Sequence, residues 1–306
     1  MSLEALRGLL AIAEPEIAPG PNVRGPDAAL AVLGPRITPV YHAASGPWPE
    51  ADAIDHVHDI RVATRRLRAA LAITRDILGK RAADRSRAKL EAFGDVLGAR
   101  RAADVNLERL DELRAAANDD ETRAVIERLA GLVAIRRLRA LDRLRTAYPP
   151  ERLARHGHAL LSAAQSARPD GPTLAAGMQS ELEKRLARVK ARLGSMQSKS
   201  DDAGHHGLRI ALKRLRYTCE IIRPVLPDRV PSEATGALKT MQDALGKLHD
   251  EVELIALVNG PRVRWGSPAV GVDAIVGRLS ETKDALFAAA HEKVEAHETA
   301  LIAGLS

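Results

Sequence analysis

Two clusters of cationic side chains repeat nearly the same spelling 148 residues apart: His58, Arg61, Arg65, Arg66 and Arg68, then His206, Arg209, Lys213, Arg214 and Arg216. Their chemistry is that of oxyanion capture. A guanidinium is planar, stays charged at any physiological pH, and donates two parallel hydrogen bonds to one phosphate group. Seven of the eight Lys and Arg in the two clusters are Arg, which favours phosphate over a generic acidic surface. The two histidines add charge as the pH falls below their ordinary value of about 6.5. Cations three and four residues apart on a helix repel by a few tenths of a kcal/mol per pair. Few acids stand nearby to relieve this: Asp59 falls off the first row, and Glu220 is the only acid near the second. Such rows call for a ligand or partner that brings negative charge.

Helices must position these groups. At about 100° per residue, His58, Arg61, Arg65 and Arg68 share one arc, with Ile60, Leu67 and Leu71 opposite. His206, Arg209, Lys213 and Arg216 do the same, with Leu208, Leu215, Cys219 and Ile222 behind them. Each segment therefore predicts a helix with one cationic face and one buried face. The 3.6-residue period and the stop signals place further helices around them. The full set is 27–44, 53–79, 85–117, 120–147 and 150–167, then 173–194, 202–223, 232–259 and 271–303. Pro35 and Pro39 predict that the first of these is kinked, shortened or split. A short helix near 2–13 precedes a Pro/Gly-rich linker running from Pro15 to Pro26, so residues 1–25 read as an N-terminal extension. Residues Asn259 to Val270, with Arg262, Arg264 and Trp265, read as a connector. No segment alternates with period two, so the fold class is all-α.

The 148-residue offset extends past the clusters. Between His58 and Leu71, six of fourteen aligned positions are identical, and Leu90, Asp95, Leu97 and Gly98 align with Leu238, Asp243, Leu245 and Gly246. This pattern predicts a duplication. The architecture expected is two four-helix-bundle repeats, about 26–170 and 171–306, related by a pseudo-twofold axis. The paired basic rows would then face each other across a central basic channel.

The motifs His58-x-x-Arg61-Val-x-x-Arg65-Arg66-Leu67-Arg68 and Leu97-Gly98-x-x-Arg101-x-x-Asp104-Val105 resemble those of the CHAD domain, the conserved histidine α-helical domain. So do their second-copy counterparts, which run from His206 through Lys213 to Tyr217 and from Leu238 through Gly246 to His249-Asp250. The resemblance covers roughly 26–306. It implies an all-helical, duplicated domain that binds inorganic polyphosphate along a basic channel, often at polyphosphate granules. Carried onto this chain, the site residues are His58, Arg61, Arg65, Arg66, Arg68 and Arg101, then His206, Arg209, Lys213, Arg214, Arg216, Tyr217, Lys247 and His249. Two positions depart from the family pattern: Ala102 stands where Asp is common after Arg101, and His249 stands where Asn or Arg is usual. Some family members carry a triphosphate-tunnel domain, for which this chain has no room.

Composition fits this reading. Forty-six Lys and Arg against forty Asp and Glu give a net charge of +6, and aromatics are only 2% of the chain, which favours packed helices over sheets. A single cysteine, Cys219, excludes an internal disulfide framework and suits a reducing compartment, so cytoplasm is the expected location. No stretch is apolar enough to span a membrane or serve as a signal peptide. Cys219, on the apolar side of its helix, is expected in the core.

Adjacent helical residues diverge too far for Asp55, His56, His58 and Asp59, or His205 and His206, to converge on a metal, so none is expected. No nucleophile motif, phosphate-cradling loop or cofactor fingerprint appears, and the expectation is binding without catalysis. Arg100, Lys239 and Arg136 to Arg139 are candidate extensions of the cationic path, the last group reading first as a solvated face with ion pairs. Two alternatives remain. A nucleic-acid-binding helical protein would also use basic faces, though the aromatic platforms of single-strand binders are scarce. A metal-dependent phosphohydrolase would use Asp104 and Asp250, which otherwise position basic side chains by ion pairing.

Overall fold

The computed structural model describes residues 19–41, 44, 48, 54–260 and 270–306. The expected helix at 2–13, Pro15, and Arg262, Arg264 and Trp265 lie outside the described residues. Ten α-helices are described: α1 Gly25–Tyr41, α2 Ile54–Ile73, α3 Arg75–Leu78, α4 Lys80–Ala115, α5 Asp120–Ala147, α6 Pro150–Gln165, α7 Leu174–Lys190, α8 Asp202–Ile222, α9 Ser232–Asn259 and α10 Val270–Leu305. Among the described residues there is no strand. The all-α expectation holds, and α5 and α9 begin and end where the sequence period places them.

Two compact units share the helices. Unit 1 comprises the chain up to Arg101, then Leu138–Arg185 and Tyr217–Pro231; unit 2 comprises Ala102–Arg137, Leu186–Arg216 and Ser232–Ser306. In unit 1, α1 packs against α2 and α6. Trp48, Phe93 and Tyr148 form a chain of rings with centroids 6.0 and 4.9 Å apart, and the Trp48 indole donates to the Tyr148 carbonyl at 2.9 Å. Three of the few aromatic residues thus gather in one spot, where their large surfaces fill a gap that Ala and Leu would leave. In unit 2, α9 packs along α10. There Leu110 of α4, Ile126, Leu129 and Val133 of α5, Leu254 and Val258 of α9, and Ile275 and Leu279 of α10 form one buried cluster.

Three local outcomes differ from the sequence reading. The first helix is not split: α1 runs unbroken through Pro35 and Pro39 to Tyr41, with nine of its residues buried. Each proline removes a backbone donor, and the Arg36 guanidinium donates to the Val32 carbonyl at 2.7 Å beside the first of them. Burial of the apolar face outweighs the lost backbone bonds. Next, the segment expected as one helix over 53–79 breaks at Thr74, whose hydroxyl turns back to the Ala70 carbonyl at 2.9 Å. Gly79 then takes φ 83°, a conformation open to glycine, and separates α3 from α4. Finally, the described part of the expected linker is tied down. The Val23 and Pro21 carbonyls accept from Leu174 and Ala175, both at 2.9 Å, and Arg24 donates to the Gly171 carbonyl at 2.7 Å. These bonds satisfy first-turn donors of α7 that no helix can satisfy internally.

Candidate functional site

The first basic row lies on α2, within unit 1. Its back face is sealed: Ile60, Thr64, Leu67 and Leu71 are each no more than 1% exposed. Arg61, Arg65 and Arg68 are partly exposed, and His58 is fully so. Two glycines of α4, four residues apart, give this row its seat. A side-chain carbon on Gly98 would sit 3.5 Å from Arg61 Nη2, and one on Gly94 would sit 3.7 Å from Thr64 and 3.8 Å from Arg68 Nη1. The bare glycine surface lets the Arg61 guanidinium lie flat across α4. Gly98 thus lets the Arg61 guanidinium pack against α4, whereas Gly246 of α9 has open space around it.

Charge is unevenly compensated along the row. Arg68 donates to Glu91 at 2.8 Å. Among the described residues no carboxylate pairs with Arg61 or Arg65, and Arg61 Nε is buried with no hydrogen-bond partner. A buried guanidinium nitrogen left without an acceptor is costly, and the exposed parts of Arg61 and Arg65 are open to an oxyanion over the row. Arg66 does not join the row: it sits about 100° further round α2 and pairs with Glu220 at 3.3 Å. Arg101 is partly exposed on α4, three residues past Gly98. Arg100, by contrast, is 1% exposed and belongs to the interior of unit 1, so it does not extend a solvent path. Tyr217 is also in unit 1 and is 5% exposed, so its ring is core.

The second row lies on α8 in unit 2, with Leu208, Leu212 and Leu215 buried behind it. Arg209, Lys213 and Arg216 are partly exposed and Arg214 is more so, matching position for position the exposure of Arg61, Arg65, Arg68 and Arg66. Arg209 lies 3.8 Å from the Asp250 carboxylate of α9. His206 and His249 meet Nδ1 to Nδ1 at 3.1 Å, with ring centroids 4.4 Å apart. One nitrogen must donate and the other accept, so at least one ring carries no second proton. Burial, then the charges of Arg209, His206 and Lys213, push His249 down to about 3. His206 is lowered by burial and by Arg209 and Lys213, against an opposing pull from Glu253. The expectation that His206 gains charge just below its ordinary value is thus corrected: burial first, and then the neighbouring cations, oppose its protonation. Lys247 is exposed on α9.

The carboxylates of the phosphohydrolase alternative are engaged otherwise. Asp104 is buried and accepts from Arg137 Nε at 2.7 Å. This is the ion-pairing role, and it leaves Arg137 half-buried while Arg136 and Arg139 stay exposed. A parallel pair, absent from the sequence reading, links Arg109 to Glu251 at 2.8 Å, with Glu251 only 2% exposed. Among the described residues no three His, Cys, Asp or Glu side chains gather into a metal-holding group. Cys219 is buried as expected, and burial raises its thiol to about 12, far from nucleophilic. Sequence reasoning missed Glu91, Arg36, Arg109 and Glu251. No local spacing signals Glu91, Arg109 or Glu251, because each reaches its contact from another part of the chain.

No helix of the described residues is long and apolar enough to cross a membrane. Comparison with curated proteins finds no match. Two solved structures share the fold. The CHAD domain from the plant Ricinus communis aligns with a TM-score of 0.67 at 22% identity, over 90% of this chain and 95% of that one. PptA from Streptomyces chartreusis aligns with a TM-score of 0.64 at 18% identity, over 92% and 99%. The CHAD domain family model matches residues 41–259, which include both basic rows with their supporting helices α2 and α8, and the chain belongs to the CHAD domain family.

Proposed function

We propose that the chain binds inorganic polyphosphate, without cutting it, through the arginine row of α2 and the Arg, Lys and His cluster of α8. One observation carries the reading: Arg61 and Arg65 stand on a rigid, buried-backed helix face without a carboxylate partner among the described residues. Among the described residues no group accepts from the Nε of Arg61. A phosphate chain supplies acceptors at every unit, so a row of fixed guanidiniums gains from each contact without reorganising. His206 and His249 are lowered first by burial and then by the charges of Arg209 and Lys213, and the second of these causes supports a cationic surface in unit 2.

The reading of binding without turnover is supported by how the nearby groups are engaged. Attack on a phosphoanhydride needs an activated nucleophile or a bound metal ion. Asp104 is instead committed to Arg137, and Cys219 stays protonated. A cytoplasmic location, with residence at polyphosphate granules, is part of the same proposal.

The test replaces Arg61, Arg65, Arg209 and Lys213 together with Gln. Polyphosphate binding is expected to disappear while helicity and the melting transition stay as in the parent. Unchanged affinity in that variant would remove the site assignment. Prolonged incubation with Mg²⁺ or Mn²⁺ is expected to leave polyphosphate chain length unaltered, and released orthophosphate would show that the chain is an enzyme.

A further inference from the structure

Arg66 leaves the phosphate row for a groove of its own inside unit 1. Arg36, Pro35 and Pro39 of α1 form one wall, Ala63 and Arg66 of α2 the second, and Glu220 with Ile221 of α8 the third, around a volume of about 450 Å³. That size suits a small organic ligand, as does the mixture of apolar walls with a few placed charges. The two prolines that fail to break α1 thus have a consequence: they line a cavity beside a helix turn whose Val32 carbonyl is already taken by Arg36.

Charge defines the occupant. Two guanidiniums and one carboxylate line the groove, leaving one positive charge over. Arg66 uses Nε on Glu220 at 3.3 Å, and Arg36 uses one terminal nitrogen on Val32, so each keeps terminal donors for a ligand. Arg36 is mostly buried, and its pKa is lowered by that burial and next by the Arg66 charge, which places the two cations within reach of each other. A dianion would leave the groove negative beside Glu220, whereas a monoanion neutralises it. Phosphate esters are largely dianionic above their second pKa of about 6; carboxylates are not.

We propose that this groove binds a small organic monoanion, a carboxylate on a compact apolar body, held between Arg36 and Arg66 with its body against Pro35, Pro39 and Ile221. The site is separate from the proposed polyphosphate rows and does not depend on them.

Benzoate titrated into the ¹⁵N-labelled full chain at pH 8 is the direct probe, with phenyl phosphate as the dianionic control. Saturable shifts are expected for the Arg66 side chain and for amides around Ala63 and Ile221, with phenyl phosphate binding more weakly. Arg66→Gln removes a charge-assisted contact at a half-exposed position, and is expected to weaken benzoate about tenfold. Arg61→Gln with Arg65→Gln leaves benzoate binding as it was, whatever it does to polyphosphate. Glu220→Gln raises the net charge of the groove by one and is expected to reverse the preference in favour of phenyl phosphate, a change that a merely structural role for Glu220 does not produce. The proposal is overturned by non-saturable benzoate shifts, by benzoate affinity unaffected in Arg66→Gln, or by an unchanged preference in Glu220→Gln. Displacement of benzoate by polyphosphate also overturns it, since the groove would then be a branch of the polyphosphate path.

Discussion

Replacing His249 with Asn tests the electrostatic picture of unit 2 without touching an arginine. Asn keeps a hydrogen-bonding atom near the position of Nδ1, so the contact to His206 can survive while the titrating group is lost. In the folded chain His249 is held down to about 3; in the unfolded chain it returns to about 6.5. Between those values the unfolded state takes up a proton that the folded state refuses, so stability falls as the pH drops below about 6.5 and levels off near 3. At pH 5 the linkage amounts to about 2 kcal/mol for a fully enclosed ring. His249 is only half buried, and solvent screening reduces this to about 1 kcal/mol. Urea unfolding at pH 7 and pH 5, in parent and His249→Asn, measures it. The variant should lose about 1 kcal/mol less than the parent between the two pH values. Equal losses would mean that neither burial nor the charges of Arg209, His206 and Lys213 hold His249 down.

Two further tests address the scaffold. Gly177→Ala should destabilise the chain by about 1 to 2 kcal/mol, because the added carbon would meet the Ile73 carbonyl at 2.7 Å and outweigh the gain in helix propensity. Gly246→Ala, with nothing within 4 Å, should stabilise it by up to about 1 kcal/mol; denaturant midpoints for the pair must therefore move in opposite directions. Arg137→Met strips Asp104 of its 2.7 Å partner and should cost about 3 kcal/mol. Adding Asp104→Asn should recover part of that loss, and strictly additive effects in the unfolding free energies would show that the two residues are not coupled.

The helices were legible because their signal is local. Apolar residues at three- and four-residue spacing, with Gly and Pro at the ends, place α5 and α9 to the residue and also give the buried backs of α2 and α8. Where a tertiary contact overrides a local rule, legibility fails. Pro35 and Pro39 carry a strong local signal for a break, yet α1 continues because its buried face is held by α2 and α6. The site divides in the same way. That Arg61, Arg65 and Arg68 share a face follows from helix geometry alone. That Arg68 meets Glu91 and Arg66 meets Glu220, which is 154 residues away, does not. The sparse acids beside the rows suggested more free charge than exists, since partners arrive from other helices. Arg100 and Tyr217 show the converse error: neighbours of the motif in sequence turn inward, because a helix rotates about 100° at each step.

A salt-dependent titration of polyphosphate against duplex DNA, matched in phosphate concentration, bears most directly on the central claim. Polyphosphate is expected to bind more tightly, its affinity to fall steeply as salt rises, and the quadruple Gln variant of Arg61, Arg65, Arg209 and Lys213 to flatten that slope. Displacement of bound polyphosphate by DNA at equal phosphate and salt would contradict that claim, and would make the basic rows of α2 and α8 a general polyanion surface.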